Sequence, residues 1–244
     1  MSYYRYGGYP RYSTPKPDKE KNRLAVEKLK KKQPDISPVT VTGRKLAKTW
    51  WGMAWINNLE RYSDYSNRLG RGSSYVRNGS VLDLKISSGL ITSLVQGTRA
   101  KPYKVNISIK PLDKKTWRSI VDACEGKIES LQELVDGKFP EALAELFTAK
   151  GDGLFPTPRE IEFDCDCPDW ASMCKHVAAT LYGAGTRLDE DPGLFFLLRD
   201  VRIEEMISKA VEQRSDQMLK KADKKTKRVI EDEDLSDVFG IDVK

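Results

Sequence analysis

The sequence predicts an α+β protein: an antiparallel β-meander with packed helices is followed by a small metal-binding finger, built from a β-hairpin and a helix, and by a C-terminal helix. Three runs of strand-like composition follow one another closely, from Val81 to Ile86, from Leu90 to Val95 and from Lys104 to Ile109. A compact cluster of cysteines with the single histidine of the chain comes after them. Stretches on both sides of the strands repeat apolar residues at helical spacing, which predicts helices packed on the sheet.

Residues 1–43 form a basic, tyrosine-rich segment. Five tyrosines fall within the first twelve positions, and a lysine-rich stretch follows them. The composition predicts a flexible arm. Its aromatic rings and cations could bind single-stranded nucleic acid by stacking and charge, or the segment could be a solvated tail.

Residues 44–155 are predicted to form an α+β domain around the three-stranded meander. Trp51, Trp55 and Leu59 recur at helical spacing and predict a helix whose apolar stripe belongs to the core. Similar spacing predicts helices over about 114–124, 128–135 and 140–147. Cys124 lies within the first of these and is interpreted as a small buried hydrophobic residue.

A stretch rich in arginine and glycine, residues 68–79, is interpreted as a loop before the first strand. Glycines let a backbone approach a phosphate closely, and arginine matches phosphate oxygens, although such a loop can also be a plain turn. A second basic loop joins the second and third strands, at residues 96–103. The predicted nucleic-acid contacts are Arg68, Arg71, Tyr75, Arg77, Arg99, Lys101 and Lys175.

Residues 156–188 contain the feature with the most specific chemistry. Cys165 and Cys167 follow an extended segment, where residues two apart point to one side and can bind one ion. Cys174 and His176 cannot both lie inside a helix and face one ion, so Cys174 is expected to precede a helix that ends at Gly183 or Gly185. Three thiolates and an imidazole complete the tetrahedral shell of one structural Zn²⁺. Buried cysteines or a redox pair are the alternatives.

Three further expectations concern this site. Trp170 is expected to cap the small core beside the metal. Lys175 is expected to offset the net charge of about −1 that three thiolates, a neutral imidazole and a divalent ion carry together. Loss of the metal is expected to unfold residues ~160–190.

The C-terminal part is predicted to be a helical region, residues 189–230, followed by an acidic tail, residues 231–244. Ile203, Met206, Ile207 and Val211 lie on one helical face, and the helix ends in a run of lysines. Over the whole chain of 244 residues the net charge is +6. This mild excess is compatible with an anionic partner or with ordinary solubility.

The motifs of common enzyme classes are absent from the sequence. It has no phosphate-binding loop of the G-x-x-x-x-G-K-[ST] type and no G-x-S-x-G elbow. Its one histidine is assigned to the metal, so we expect no catalytic activity and no catalytic residue. The chain has no apolar stretch of membrane-spanning length and no leader pattern, and a cytoplasmic location is expected.

The pattern Cys165-x-Cys167 followed by Cys174-x-His176 and a Val-Ala-Ala-x-Leu-Tyr helix resembles the SWIM zinc-finger family. The upstream segments 50–52, 71–79 and 95–103 resemble standalone prokaryotic members of that family. The resemblance implies a zinc module for DNA or protein contacts, associated with helicases of the SWI2/SNF2 type. We therefore expect a non-catalytic adaptor that binds nucleic acid, with DNA as the first candidate, or a helicase of this type, or both. The alternative is a pure protein-interaction module without nucleic-acid contact.

Overall fold

The computed structural model describes residues 17–43, 45–60, 66–124 and 143–222. Its helices are α1 (Lys19–Lys30), α2 (Trp50–Glu60), α3 (Ser66–Arg77), α4 (Lys114–Ala123), α5 (Ala144–Thr148), α6 (Lys175–Glu190), α7 (Gly193–Leu198) and α8 (Ile203–Ala222). Its strands are β1 (Val81–Ser87), β2 (Leu90–Val95), β3 (Tyr103–Ile109) and β4 (Ile161–Cys165). A single 3₁₀ turn, Pro158–Glu160, leads into β4.

The four strands form one antiparallel sheet in the order β1-β2-β3-β4. Alternate residues of β3 are fully buried, as expected for a sheet with one face on the core and one in solvent. The predicted α+β class is therefore confirmed. One detail of the predicted finger differs, because the partner of β4 is β3 and not a strand within the finger: Val105 lies opposite Cys165, and Ile109 opposite Ile161.

Helix α6 lies at the centre of the fold. Twelve of its sixteen residues are buried, and it packs against α2, α3 and the inner face of the sheet. The predicted stop at Gly183 or Gly185 is wrong, since both glycines lie inside the helix. A Cβ at Gly183 would come within 3.0 Å of Leu84, and one at Gly185 within 3.0 Å of Trp55, so the glycines admit close neighbours to the helix.

The tryptophan stripe of α2 is confirmed as core. Trp55 is fully buried and donates its indole N–H to the carbonyl of Leu181 at 3.0 Å. Trp51 donates in the same way to the carbonyl of Leu188 at 2.9 Å. Two aromatic side chains of α2 therefore hold it along α6, and their polar atoms are satisfied within the core.

The arginine- and glycine-rich stretch is a helix, α3, and not the predicted loop. Gly72 faces α6 so closely that a Cβ there would lie 2.6 Å from the Cβ of Ala178. The gain from packing on α6 therefore outweighs the low helix propensity of glycine. The turn comes only at Gly79, whose φ of +66° is the left-handed conformation that commonly ends a helix.

The segment assigned to the N-terminal arm is partly folded. Residues 19–30 form α1, and the Asp18 carboxylate caps it by accepting from the N–H groups of Glu20 and Lys21. Val39 is almost completely buried in the core. The predicted boundary at residue 43 is therefore too late, and the tyrosine-rich residues 1–16 lie outside the described residues.

Some of the other predicted elements agree with the structure, and others lie outside the described residues. Helix α4 and the buried Cys124 agree with prediction, and α5 covers part of the predicted helix at 140–147. The predicted helix at 128–135, the later part of the basic run and the acidic tail lie outside the described residues. No helix among the described residues has the length and apolar character to cross a bilayer.

Candidate metal centre

The first two candidate ligands are supplied by the edge of the sheet. Cys165 is the last residue of β4, in whose alternating pattern Ile161, Phe163 and Cys165 are less exposed than their neighbours. Cys167 lies two residues further on, as the extended spacing predicted. Asp166 between them is exposed, and the main chain there is bonded to β3 through Asp166 N–H to the Lys104 carbonyl at 3.2 Å. Both thiols are half-buried.

The other two ligands lie at the start of α6. Cys174 is the N-cap residue, and its sulfur accepts from the N–H of Val177 at 3.5 Å. His176 is the second residue of the helix, which confirms the predicted position of both ligands relative to the helix. Each of these residues is only 1% exposed.

The four side chains converge on one point. All four potential ligand atoms lie within 4.8 Å of one another. His176 Nδ1 is 3.9 Å from Cys165 Sγ and 3.8 Å from Cys174 Sγ. A tetrahedral site with Zn–S bonds near 2.3 Å has edges of about 3.8 Å, so the donors fit one zinc ion with Nδ1 as the ligand nitrogen.

Aromatic rings hold the imidazole in this orientation. The ring of Tyr103 stacks on His176 with centroids 4.1 Å apart and an angle of 23°, while Tyr75 meets it edge-on at 5.7 Å. Nε2 faces Gly97, where a Cβ would lie 3.0 Å from that nitrogen and 2.5 Å from Tyr103 Cε2. Nε2 is buried and has no hydrogen-bond partner in the described part of the chain. Only glycine at 97 leaves room for this stack.

Two ion pairs fix the aspartates that flank the ligands. Arg99 donates to Asp166 Oδ2 at 2.7 Å and lies over the ring of Tyr103, 3.8 Å from its centroid. Arg68 of α3 donates to Asp169 Oδ1 at 3.0 Å, and the two side chains are 19% and 12% exposed. The Arg99 guanidinium therefore lies on the Tyr103 ring, which in turn lies on the His176 imidazole. Arg99 and Arg68 both hold the segment that carries the candidate metal ligands.

The thiols influence one another's protonation. A hydrogen bond from the Cys165 thiol lowers the pKa of Cys174 to about 4, and His176 and the Val177 N–H add to the effect. The same hydrogen bond, together with burial, raises the pKa of Cys165 far above its usual value. Burial also raises the pKa of Cys167. A divalent cation would supply the positive charge that lets all three ionise together.

The residues predicted to contact nucleic acid do not form one set. Arg68 and Arg99 are engaged in the ion pairs above, and Tyr75 is only 6% exposed, so its ring has no free face for a base. Arg77 is exposed and donates to Ser73 Oγ at 3.0 Å. Within the described ranges no ion pair involves Arg71, Lys101 or Lys175; Lys101 is exposed, whereas Arg71 and Lys175 are half-buried.

Sequence reasoning missed Tyr103, Gly97 and the two aspartates as supports of the site. The conspicuous segment 95–103 contained the signal, because it places a glycine, an arginine and a tyrosine directly before β3. The expectation that Trp170 caps the small core beside the metal was wrong. Its side chain is 81% exposed and does not cap a core.

The chain is similar to an uncharacterized protein of Mycobacterium tuberculosis, Rv2102. The two are 38% identical over 172 residues, which make up 70% of this chain and 62% of the relative, so the match spans less than two thirds of that protein. No protein-family model matches the chain. No solved structure matches it. A cluster compatible with a zinc finger is thus present, while the SWIM resemblance rests on the residues quoted for it.

Proposed function

We propose that this protein is a non-catalytic zinc-stabilised module that binds nucleic acid, with DNA as the first candidate. The observation that carries the proposal is the closed set of four donors at the junction of the sheet edge and the central helix. Three thiolates and one imidazole fill a tetrahedral zinc shell and leave no position for a reactive water. The metal then stabilises a surface and takes no part in chemistry.

Zinc is the metal that this donor set favours. Cysteine thiolate is a soft ligand, and a Cys₃His set in tetrahedral arrangement is typical of structural zinc sites. An iron–sulfur cluster usually takes four thiolates, and this site offers three. Metal analysis of the protein purified without added zinc should give about one equivalent of zinc per chain.

The charge around the site supports a polyanionic partner. Arg68 and Arg99 neutralise Asp169 and Asp166, two of the acidic groups beside the ligands. Lys101 and Lys175 have no such partner in the described segments, and they lie on the loop of Arg99 and at the first position of α6. Lysines without an acidic partner attract the phosphate groups of nucleic acid.

The test is binding of the zinc-loaded full chain to a duplex and to a single strand of DNA while salt is raised. Phosphate contacts predict a linear fall of log K with log salt. Lys101→Glu should weaken binding and reduce the slope by about one, whereas Lys114→Glu on α4 serves as a matched charge control. Absence of binding at low salt would remove nucleic acid from the proposal and leave the zinc module standing.

A protein partner is a second candidate, favoured by the far half of α8. Val211, Met218 and Leu219 are exposed there beside Lys220 and Lys221. The apolar faces of α2 and α6 are covered within the fold. The SWI2/SNF2-type helicase that the resemblance implies should be retained by the wild-type chain after nuclease treatment. It should be lost with Met218→Glu if α8 is the contact.

A further inference from the structure

An open cleft lies between α2 and α3, with Tyr182 of the central helix α6 in its wall. Its volume is about 500 Å³, which is within the usual range for sites that bind small molecules. None of the four candidate metal ligands belongs to the described residues that line it. The cleft is therefore a feature separate from the metal centre.

Apolar side chains form much of the cleft. Leu46, Ile56 and Tyr182 are buried there, and Leu69 is half-buried. Met53 is 39% exposed, which places its side chain at the rim. An apolar group bound in the cleft would remove the remaining exposed surface of these side chains from water, and this burial favours binding.

Gly70 keeps the cleft open on the side of α3. A glycine inside a helix destabilises it by about 1 kcal/mol relative to alanine. At Gly72 the close packing on Ala178 offsets this loss, but a Cβ at Gly70 would meet nothing within 4 Å. Close packing therefore does not account for Gly70, and any side chain at this position of the lining would narrow the cleft.

The polar groups of the cleft favour an anion. Lys45 and Arg77 supply two positive charges, and Glu60 is the one carboxylate among the described lining residues. Oε1 of Glu60 accepts from the O–H of Tyr182 at 2.7 Å. Burial, together with this hydrogen bond, raises the pKa of Tyr182, and the nearby charge of Arg77 opposes the rise. The phenol therefore stays neutral at pH 7, and the charge left over in the cleft is positive.

We propose that this cleft binds a small organic anion, whose apolar body lies on Leu46, Ile56 and Leu69 while Lys45 and Arg77 bind its charged group. An apolar body with one charge matches a wall that is apolar over most of its extent and cationic at one place. This site is additional to the proposed nucleic-acid binding and does not depend on it.

The experiment uses two fluorescent probes that differ in charge. Anilinonaphthalene sulfonate is an aromatic anion, and phenylnaphthylamine has the same aromatic body without the sulfonate. Each is titrated into the zinc-loaded full chain. The sulfonate should bind saturably and about fivefold more tightly than the neutral probe, as one exposed ion pair allows. Lys45→Glu should weaken sulfonate binding by about 3- to 10-fold and leave the neutral probe within about twofold. Lys114→Glu, at an exposed position outside the cleft, is the charge control and should change neither.

Methionine methyl groups report where the probe binds. In protein labelled with carbon-13 at these methyls, the sulfonate should shift the resonance of Met53, which lines the cleft. Met218 of α8 is 59% exposed and is the matched control for binding to any exposed apolar side chain. Met206 is 1% exposed and reports on the core. Met53→Leu, which nearly conserves volume, assigns the resonance.

The outcomes either support the site or overturn it. Shifts at Met53 with no change at Met218 and Met206, together with weaker sulfonate binding by Lys45→Glu, would support it. Absence of saturable binding, or a shift at Met218 as large as that at Met53, would show that the cleft is not a specific site. Equal affinity for the two probes, or an unchanged affinity in Lys45→Glu, would overturn the choice of an anion. No nucleic acid is present in these measurements, so their result is independent of the proposed function.

Discussion

The two pairs of metal ligands lie in very different surroundings. Cys165 ends an edge strand that has one neighbour, and Cys167 follows two residues later; both are half-buried, whereas Cys174 and His176 are 1% exposed at the start of the central helix. We call them the strand arm and the helix arm. The helix arm is positioned by α2, α3 and the sheet, which all pack on α6. The strand arm depends on pairing with β3 and on local ion pairs.

This contrast indicates what the metal stabilises. A ligand pair that is already fixed loses little freedom when the ion binds, whereas a strand end and a loop lose much more. Zinc would therefore act mainly by fastening the edge strand and residues 168–173, which join the two pairs of ligands, to a core that folds around α6. The finger is thus the closing edge of the sheet and not an independent unit.

Removal of the metal should have the largest effect and should be unequal between the arms. Structural zinc can contribute ~10 kcal/mol to local folding, so chelation should expose residues 161–174. Helix α6 should stay protected, because its apolar contacts remain. This narrows the segment of ~160–190 that the sequence suggested. Hydrogen exchange followed by peptide mass spectrometry measures both regions in one sample; equal loss of protection in β4 and α6 would contradict the comparison.

The loss of zinc affinity on removing one thiolate should depend on whether that thiolate belongs to the strand arm or to the helix arm. Cys174→Ser removes a ligand and also the sulfur that caps α6, so zinc affinity should fall by more than the ~100-fold seen for loss of an outer support. Cys167→Ser should cost less, because a water can reach the half-exposed position. Competition with a chromophoric chelator gives both affinities. Equal losses would mean that burial of the helix arm adds nothing to binding.

The parts of the site that sequence could predict are those with a local signal. The spacing of Cys165, Cys167, Cys174 and His176 determines both arms, because the geometry of a strand and of a helix start depends only on nearby residues. Alternation in the strands and the tryptophan stripe of α2 have the same property. These predictions agree with the structure.

The parts that sequence could not predict depend on contacts between distant segments. Three glycines within residues 68–79 indicated a loop, and only the closeness of Ala178 explains why a helix with Gly72 is favoured there. The stack of Arg99, Tyr103 and His176 joins residues more than seventy positions apart. The sequence predicted that Arg68 and Arg99 contact phosphates, because no local pattern shows that Asp169 and Asp166 are their partners.

The helix arm also has a support that a single methyl group should disturb. Gly97→Ala would place a Cβ 2.5 Å from Tyr103 and 3.0 Å from His176 Nε2, which displaces the imidazole from its stack. Zinc affinity should fall by roughly 10- to 100-fold, the range for loss of an outer partner of a ligand. Gly70→Ala is the matched control, because a Cβ there meets nothing within 4 Å. The absorption of bound Co²⁺ should shift with Gly97→Ala and not with Gly70→Ala.

If both glycine variants bind metal as the wild type does, the ring stack does not position the ligand. Tyr103→Leu then offers a second measurement that leaves the main chain unchanged. It removes the stacked ring and the contact of Arg99 with it. An affinity equal to the wild type in this variant as well would show that the core alone holds His176, which would strengthen the contrast between the two arms.

The smallest expected effect concerns the anchor at the start of the strand arm. Glu160 precedes β4, and its carboxylate accepts from the buried Arg199 at 2.6 Å and from Thr157 N–H at 2.8 Å. Burial alone would raise the pKa of Glu160, but the hydrogen bonds from Thr157 and Arg199 outweigh it, so the pKa lies below its usual value. The ionised group should stabilise the fold by about 1.5 kcal/mol, as for a hydrogen bond between charged groups.

Because the folded pKa is lowered, this stabilisation is complete above the pKa of the unfolded chain and is lost as the pH falls through the folded value. Glu160→Gln should therefore be less stable than the wild type at pH 7, and the difference should shrink toward pH 3. Metal release at low pH occurs in both proteins and cancels in the difference. Glu162→Gln, at an exposed position of β4, is the control and should match the wild type. Denaturant unfolding at the two pH values measures the difference, and a gap that stays constant would show that the charge of Glu160 does not anchor the strand arm.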